Sequence, residues 1–550
     1  MTRSLPSVLL VVLLVGSAFA CAPNDAPTIT AHSTVLPLTG PCPLDGAGSE
    51  FTQEASSLRL TVAGEDIVVP LSVEGDVGEL SVEEVPVGAD RVVGLFGLVG
   101  SAPLWRGVTR GVTVERDVPA AVDVLMTRIG DVTCSRGGDA DKRAFHTATV
   151  LDDGSILVVG GAKSSVQSSI CAGCRQLEGT TSASLYDPRT GSFSPVGPLT
   201  AARMFHTATR LADGRVVVVG GAARGLVFPD PTTHPFPLIP QGPVAAIEVF
   251  DPSDKTFKSV ATDPAGGRSF AAATRTLNDE VIITGGILEG LAARNDLSNA
   301  LSSTTICGGE ALSCRAGQAM LSRRAGHAAF TLEPDGIFIV GGSIDREGQG
   351  FQVEALRTGA GFEYLAVTSM SIERNFFFAA TSQYVPFRLL VAGGLLRDAA
   401  GNFSLARNAS GKGPVVVLDM SIGQSGGVVT GEPPNAEPMG TQAPRWYGAA
   451  AALPDETRAI LAGGYSDLAL KPSGQLEKYD QTTLLVEPLF VGGAARSLRQ
   501  PRGALVAAAN GDGSIVFTGG DAIDETGAVV GPLSTAEIFG DPVTPPGVAE

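Results

Sequence analysis

One pattern recurs seven times along this chain, and no other feature limits the fold as strongly. Each copy has an arginine, a short stretch of small or aromatic residues, a turn, a β-branched run and a glycine pair. The arginines are Arg143, Arg203, Arg268, Arg324, Arg374, Arg445 and Arg502. The matching pairs are Gly160 and Gly161, Gly220 and Gly221, Gly285 and Gly286, Gly341 and Gly342, Gly393 and Gly394, Gly463 and Gly464, and Gly519 and Gly520. Between them, turns such as Asp153-Gly154, Asp213-Gly214 and Asp512-Gly513 accept positive φ and close tight hairpins. The first strand of each hairpin is built from small residues. The second, as in Ile156 to Val159, is apolar at every position, which suits a strand buried on both faces. A repeat of this kind buries its apolar surface against its neighbours, so the copies must stack.

A third strand follows in several copies, clearest around Tyr186-Asp187-Pro188 and Phe250-Asp251-Pro252, with weaker versions at Tyr479 and Phe539. A fourth short strand follows at Phe193 and Phe257. These residues resemble the kelch repeat, and the resemblance covers about 143–541, with the first two copies matching best. It implies an all-β fold: a seven-bladed kelch-type β-propeller over residues 135–541, with four strands per blade. The copies are longer than the ~50 residues of a kelch unit. The extra residues lie mostly after the glycine pairs, at 162–180, 222–244, 287–321 and 395–412, so the resemblance gathers them on one face. Such a face either binds a partner or reflects drift in surface loops.

Residues 41–134 lack the repeat. Short strands are expected at 58–62, 66–71, 79–82, 91–98, 108–115 and 122–126, which reads as a small β-sandwich. Val85-Pro86-Val87-Gly88 resembles a segment of transthyretin-like modules. Cys42 and Cys134 stand at the two ends of this module, and a disulfide between them would staple it to its exit. The exit segment 127–134 is also expected to pair beside 535–539. The last repeat runs into Pro542, Pro545 and Pro546, so its outer strand must be borrowed.

The first residues read as a targeting segment: Arg3, then an apolar run at 8–15 too short to span a bilayer, then Ala18-Phe19-Ala20 before Cys21. Cleavage after Ala20 by an ordinary signal peptidase fits. So does a lipoprotein signal with Cys21 lipidated, although Ala18 replaces the usual leucine. Cysteine parity favours lipidation, because six cysteines remain once Cys21 is set aside. The expected layout is a signal peptide at 1–20, a linker at 21–40 and a Pro-rich tail at 542–550. The expected location is the outer membrane or cell surface, with the lipid on Cys21 as the sole membrane attachment, or the periplasm or medium without it.

In an oxidising compartment Cys171 with Cys174, and Cys307 with Cys314, read as two local disulfides, each bracing a long loop, in preference to a four-thiolate zinc site. The net charge of −18 gives no footprint for nucleic acid. Galactose-oxidase-like enzymes share the seven-bladed kelch architecture, and their copper site needs His and Tyr ligands and a Cys joined to a Tyr. Here His146, His206 and His327 occupy the repeat position, while His32 lies in the linker and His234 in a Pro-rich loop, leaving too few ligands. The seven arginines read either as a cationic collar for an acidic ligand or as a structural clamp, with Glu248, Glu477 and Glu537 as partners. Repetition in every copy favours the clamp. Asn510 to Gly513 reads as a turn, not a calcium loop. The expectation is therefore a non-catalytic cell-envelope protein, with no catalytic, cofactor or metal residues, that binds a protein or glycan through its inserted loops. The alternative is a carbohydrate-active enzyme, of sugar isomerase or oxidase type, with a site at the propeller axis.

Overall fold

The structure is a computed structural model. It describes residues 27–540 except 36–41, 43–49, 63–64, 71–78, 290–296, 333–335, 346–352, 358–362, 368–372, 383–386, 423–427, 432–438, 454–456, 492–493, 524–528 and the single positions 117, 229, 231, 233, 442, 482 and 484. Residues 1–20, Cys21 and the tail 542–550 lie outside the described residues. The chain is almost wholly β, with one short helix, Glu50–Glu54, among the described residues.

Seven strands form the N-terminal sheet. Their hydrogen-bonded order is Glu65–Pro70, Ser57–Val62, Gly88–Val99, Ala102–Val114, Ala120–Arg128, Thr28–Val35 and Glu79–Glu83. Ala102–Val114 meets Ala120–Arg128 through only two residue pairs, so the two halves of the sheet are joined at a corner. Both halves contribute to one core that includes Ile29, Leu60, Leu95, Trp105 and Val124. The expected linker at 21–40 needs correction, because Thr28–Val35 lies inside this sheet, parallel to Ala120–Arg128. Its inward residues alternate along the strand as Ile29, Ala31, Ser33 and Val35. Two of these are small or polar, so the alternation carries little hydrophobic signal.

Each repeat forms an antiparallel sheet. In the second, Thr207–Arg210, Val216–Val219, Ala246–Asp251 and Thr256–Thr262 pair in that order. Among the described residues the other six repeats give the same four-strand order, with a fifth strand attached in the fifth and sixth. The second strands are buried on both faces because each lies between two sheets. Ile156 and Val158 pack against Val516 and Ile538 of the last sheet. Leu157 and Val159 pack against Val216 and Val218 of the next. Each such side chain contributes about 1.5–3 kcal/mol.

Backbone hydrogen bonds link successive sheets and return to the start. The N–H of the second glycine of each pair donates to the carbonyl of the next repeat arginine: Gly161 to Arg203, Gly221 to Arg268, Gly286 to Arg324, Gly342 to Arg374, Gly394 to Arg445, Gly464 to Arg502 and Gly520 to Arg143. A side chain at Gly220 or Gly520 would collide with backbone, and both have positive φ, so glycine is required there. In the last sheet the outer strand is Val132–Cys134, paired with Ala536–Gly540 through Phe539 to Val132, Ile538 to Thr133 and Glu537 to Cys134.

Among the described residues, the insertions carry strands of their own. Ala162–Gln167 and Arg175–Gly179 form one four-stranded sheet with Ala222–Val227 and Leu238–Pro243. The 287–321 segment was expected to be an inserted loop. It holds instead the third and fourth strands of the third sheet, Thr304–Gly308 and Ser313–Ala316. Cys307 and Cys314 are joined across those strands and do not brace a loop. Disulfides also join Cys42 to Cys134 and Cys171 to Cys174.

Candidate functional site

Two residues past each repeat arginine, the chain turns through a left-handed conformation. Phe145, Phe205, Phe270, Phe376, Tyr447 and Ala504 have φ between 49° and 59°, and Gly326 has 62°. Bulky residues in that region are held only where the surroundings determine them. Here the determinant is a second cyclic set of hydrogen bonds. The N–H of Phe205 donates to Phe145, Phe270 to Phe205, Gly326 to Phe270, Phe376 to Gly326, Tyr447 to Phe376, Ala504 to Tyr447 and Phe145 to Ala504, at 2.7–3.2 Å. The result is an aromatic collar. Phe145 packs edge-on to Phe205 at 4.8 Å and to Tyr447 at 5.3 Å, and Phe376 stacks on Tyr447 at 5.7 Å. On the side of the inserted loops, fully buried Phe236 caps the collar, stacked on Phe376 at 4.6 Å and packed near Phe403 and Trp446.

The collar and the residues that follow it line a cavity of about 190 Å³, bounded by His206, His327, Phe270, Phe376, Phe377 and Tyr447. For scale, an apolar cavity of about 150 Å³ accepts benzene. The other described cavities are about 10–20 Å³, at most the room of a water.

The imidazoles reach across to the preceding sheet. The Nε2 atoms of His146, His206 and His327 hydrogen-bond the hydroxyls of Thr518, Thr147 and Thr284 at 2.8, 3.0 and 2.9 Å. The Nδ1 atom of each is buried without a partner. Burial, aided by neighbouring arginines, drives the pKa of His146 and of His327 down to about 3, and that of His206 well below its usual value. All three are neutral at ordinary pH. Burial pushes the Tyr447 phenol beyond the usual tyrosine range. The cavity therefore offers aromatic faces, neutral imidazoles and a neutral phenol, but no formal charge.

The repeat arginines do not line the cavity. They are buried clamps within their own sheets. Nη1 of Arg203 donates to Gly220 O at 3.0 Å and Ala246 O at 3.1 Å, and its Nη2 pairs with Glu248. Arg324 pairs with Glu354 at 2.7 Å, Arg445 with Glu477 and Arg502 with Glu537 at 2.8 Å. In the first and third sheets the carboxylate comes from the chain just before the arginine. Asp139 pairs with Arg143 at 2.6 Å and Asp263 with Arg268 at 2.8 Å. Sequence reasoning missed Glu354, Asp139 and Asp263. The two aspartates left a trace, because each stands four or five residues ahead of an arginine whose third strand lacks glutamate. The collar aromatics were read only as a repeat position, although five of the seven copies carry Phe or Tyr there. Of the remaining histidines, His234 stacks on Phe228 at 3.7 Å and His32 lies in the N-terminal sheet.

Behind the collar, the Tyr465 hydroxyl donates to Asp521 Oδ2 at 2.8 Å, while Asp521 Oδ1 is buried without a partner. Burial raises the Asp521 pKa, opposed by the Tyr465 hydrogen bond and by Arg175. The folded state thus holds this proton more tightly than the unfolded chain does. Stability is fully present below the unfolded carboxyl pKa and falls as pH rises through the folded one. Asp521→Asn keeps an acceptor for Tyr465 and cannot ionise. Its Tm should exceed that of the parent by about 1–3 °C at pH 8, with the gap closing at pH 4. A gap independent of pH would show that ionisation is not the cause.

No protein-family model matches the chain, and no curated protein matches it. Among solved structures it is similar to a novel fungal alcohol oxidase with catalytic diversity among the AA5 family, in complex with copper. The TM-score is 0.50 at 14% identity, covering 74% of this chain and 77% of the other. The fold is all-β and galactose-oxidase-like. The neighbour is an enzyme, and this finding stands against the expectation of a protein with no enzymatic role.

Proposed function

We propose that this galactose-oxidase-like fold is a closed seven-bladed propeller of kelch type, and that the chain is an enzyme acting on an uncharged, hydroxyl-bearing substrate in the axial cavity. The substrate class is a carbohydrate or simple alcohol. The observation that carries this reading is the cavity of about 190 Å³ among Tyr447, His206 and His327, on a fold whose solved neighbour is an alcohol oxidase. The two cyclic sets of backbone hydrogen bonds support the closed ring.

The neighbour's metal does not fit the donors present here. The six cysteines among the described residues are all in disulfides, so none is free to join Tyr447. His206 and His327 direct Nε2 to threonines. Among the described residues, no group of three or more His, Cys, Asp or Glu stands close enough to hold a metal ion. No step is therefore routed through copper. What the chain's own residues supply is binding: aromatic faces for the apolar side of a sugar ring and a phenol for a hydrogen bond.

The test is a screen of neutral mono- and oligosaccharides and primary alcohols for binding and turnover. Phe270→Ala and Tyr447→Phe should each lower kcat/KM about tenfold or more, the equivalent of roughly 1.4 kcal/mol. If neither variant changes binding or turnover of any accepted compound, the axial site is wrong.

The reading includes export, with loss of residues 1–20 and a lipid on Cys21 at the cell surface. The domain boundaries shift to 28–134 for the sandwich module and 135–541 for the propeller. A glycan is the partner this reading keeps. Mass spectrometry of the mature N-terminus tests the anchor, and an unmodified Cys21 would remove it.

A further inference from the structure

Among the described residues, six of the seven repeat arginines carry a built-in carboxylate, and the fifth does not. The socket is regular. In the second, fourth, sixth and seventh sheets a glutamate on the third strand stands opposite an apolar residue of the second: Glu248 opposite Val218, Glu354 opposite Ile339, Glu477 opposite Leu461 and Glu537 opposite Phe517. In the first and third, Ser184 and Thr305 take that position and hydrogen-bond the incoming Asp139 and Asp263 at 2.8 and 2.7 Å. In the fifth sheet the position opposite Val391 is Val416. The four residues before Glu373 are Ser369, Met370, Ser371 and Ile372, so the preceding chain supplies no aspartate either.

Arg374 is only 9% exposed, and its guanidinium makes one hydrogen bond among the described residues, from Nη1 to Pro414 O at 3.0 Å. Val416 is half-buried, whereas the six residues at the equivalent position are 0–2% exposed. Among the described residues, the place that a carboxylate takes beside the other six arginines holds none here.

We propose that the socket beside Arg374 is an anion site for a small monocarboxylate of acetate or formate size. The guanidinium edge formed by Nε and Nη2 holds the carboxylate as Arg268 holds Asp263, with Nε to Oδ2 at 2.8 Å and Nη2 to Oδ1 at 2.9 Å. A planar guanidinium matches a carboxylate in this two-point geometry better than it matches a spherical halide. Burial strengthens the attraction and excludes larger acids. The site does not depend on the axial cavity and stands or falls separately from it.

The experiment is thermal melting of the full chain in increasing acetate, at constant ionic strength made up with chloride, for the parent, Val416→Glu and Arg374→Met. The parent Tm should rise by about 1–3 °C with acetate, as expected for a ligand bound only by the folded state. Val416→Glu should melt higher without acetate and stop responding to it, and Arg374→Met should not respond. If Val416→Glu does not fold, the contrast between the parent and Arg374→Met decides. An equal response in the parent and Arg374→Met, no response in the parent, or equal responses to acetate and chloride would each overturn the carboxylate site.

Discussion

Arg203→Met is expected to destabilise the protein by about 3–5 kcal/mol, the range for stranding one partner of a buried ion pair. Arg203 and Glu248 are both fully buried. Glu248 also accepts the N–H of Thr200, which fixes the chain leading into Arg203. Removing the guanidinium leaves Glu248 uncompensated and strips a donor from Gly220 O and Ala246 O. The molecule contains its own control. Arg374→Met removes a buried cation that has no carboxylate beside it among the described residues, and should cost less than about 1 kcal/mol in chloride buffer. Glu248→Leu on top of Arg203→Met should recover part of the loss, because the stranded charge goes with it. Denaturant melts of the four proteins measure this. Similar losses at Arg203 and Arg374 would mean that the clamp acts through packing and not through charge.

The parts of this fold that were legible in the sequence were those with a local signal. The β-branched run of Val216–Val219, the aspartate–glycine turns and the glycine pairs mark the second strand and its end without reference to the rest of the chain. Thr28–Val35 was not legible, because its pairing with Ala120–Arg128 is parallel and spans about ninety residues. Half of its inward positions are alanine and serine. The candidate site was less legible still. Phe145, Phe205, Phe270, Phe376 and Tyr447 lie far apart in sequence and meet only through the cyclic set of hydrogen bonds between successive repeats. Each also looks like an ordinary repeat residue when read alone. The clamp could be anticipated from repetition, but its unpaired member could not. The absence of a glutamate at Val416 gains meaning only when the register of the fifth sheet aligns it with Glu248 and Glu354.

A chain begun at Gly137 should lose at least about 5 kcal/mol, melt about 10 °C or more below the full chain, and aggregate. The reason lies in the last sheet. Its outer strand, Val132–Cys134, precedes Gly137, so truncation leaves Ala536–Gly540 as a bare edge. All five residues of that strand are buried in the intact protein, and an apolar open edge is a template for pairing with other chains. Val132 would also leave the cluster it forms with Ile515, Phe517 and Phe539. The N-terminal module adds further ties. Arg106 and Arg110 donate to the carbonyls of Asp512 and Gly511 in the last hairpin, and Gly130 N–H donates to Gly540 O at 2.7 Å. The bond between Cys42 and Cys134, 92 residues apart, anchors the borrowed strand to the module. Closing a loop of that length contributes about 4.6 kcal/mol in the chain-entropy account. Cys42→Ser with Cys134→Ser keeps the strand but frees it, and should fall between the parent and the truncated chain. That ordering separates two causes. If the truncated chain melts with the parent, the borrowed strand is dispensable. If the double serine variant falls as far as the truncation, the disulfide and not the strand pairing holds the last sheet together.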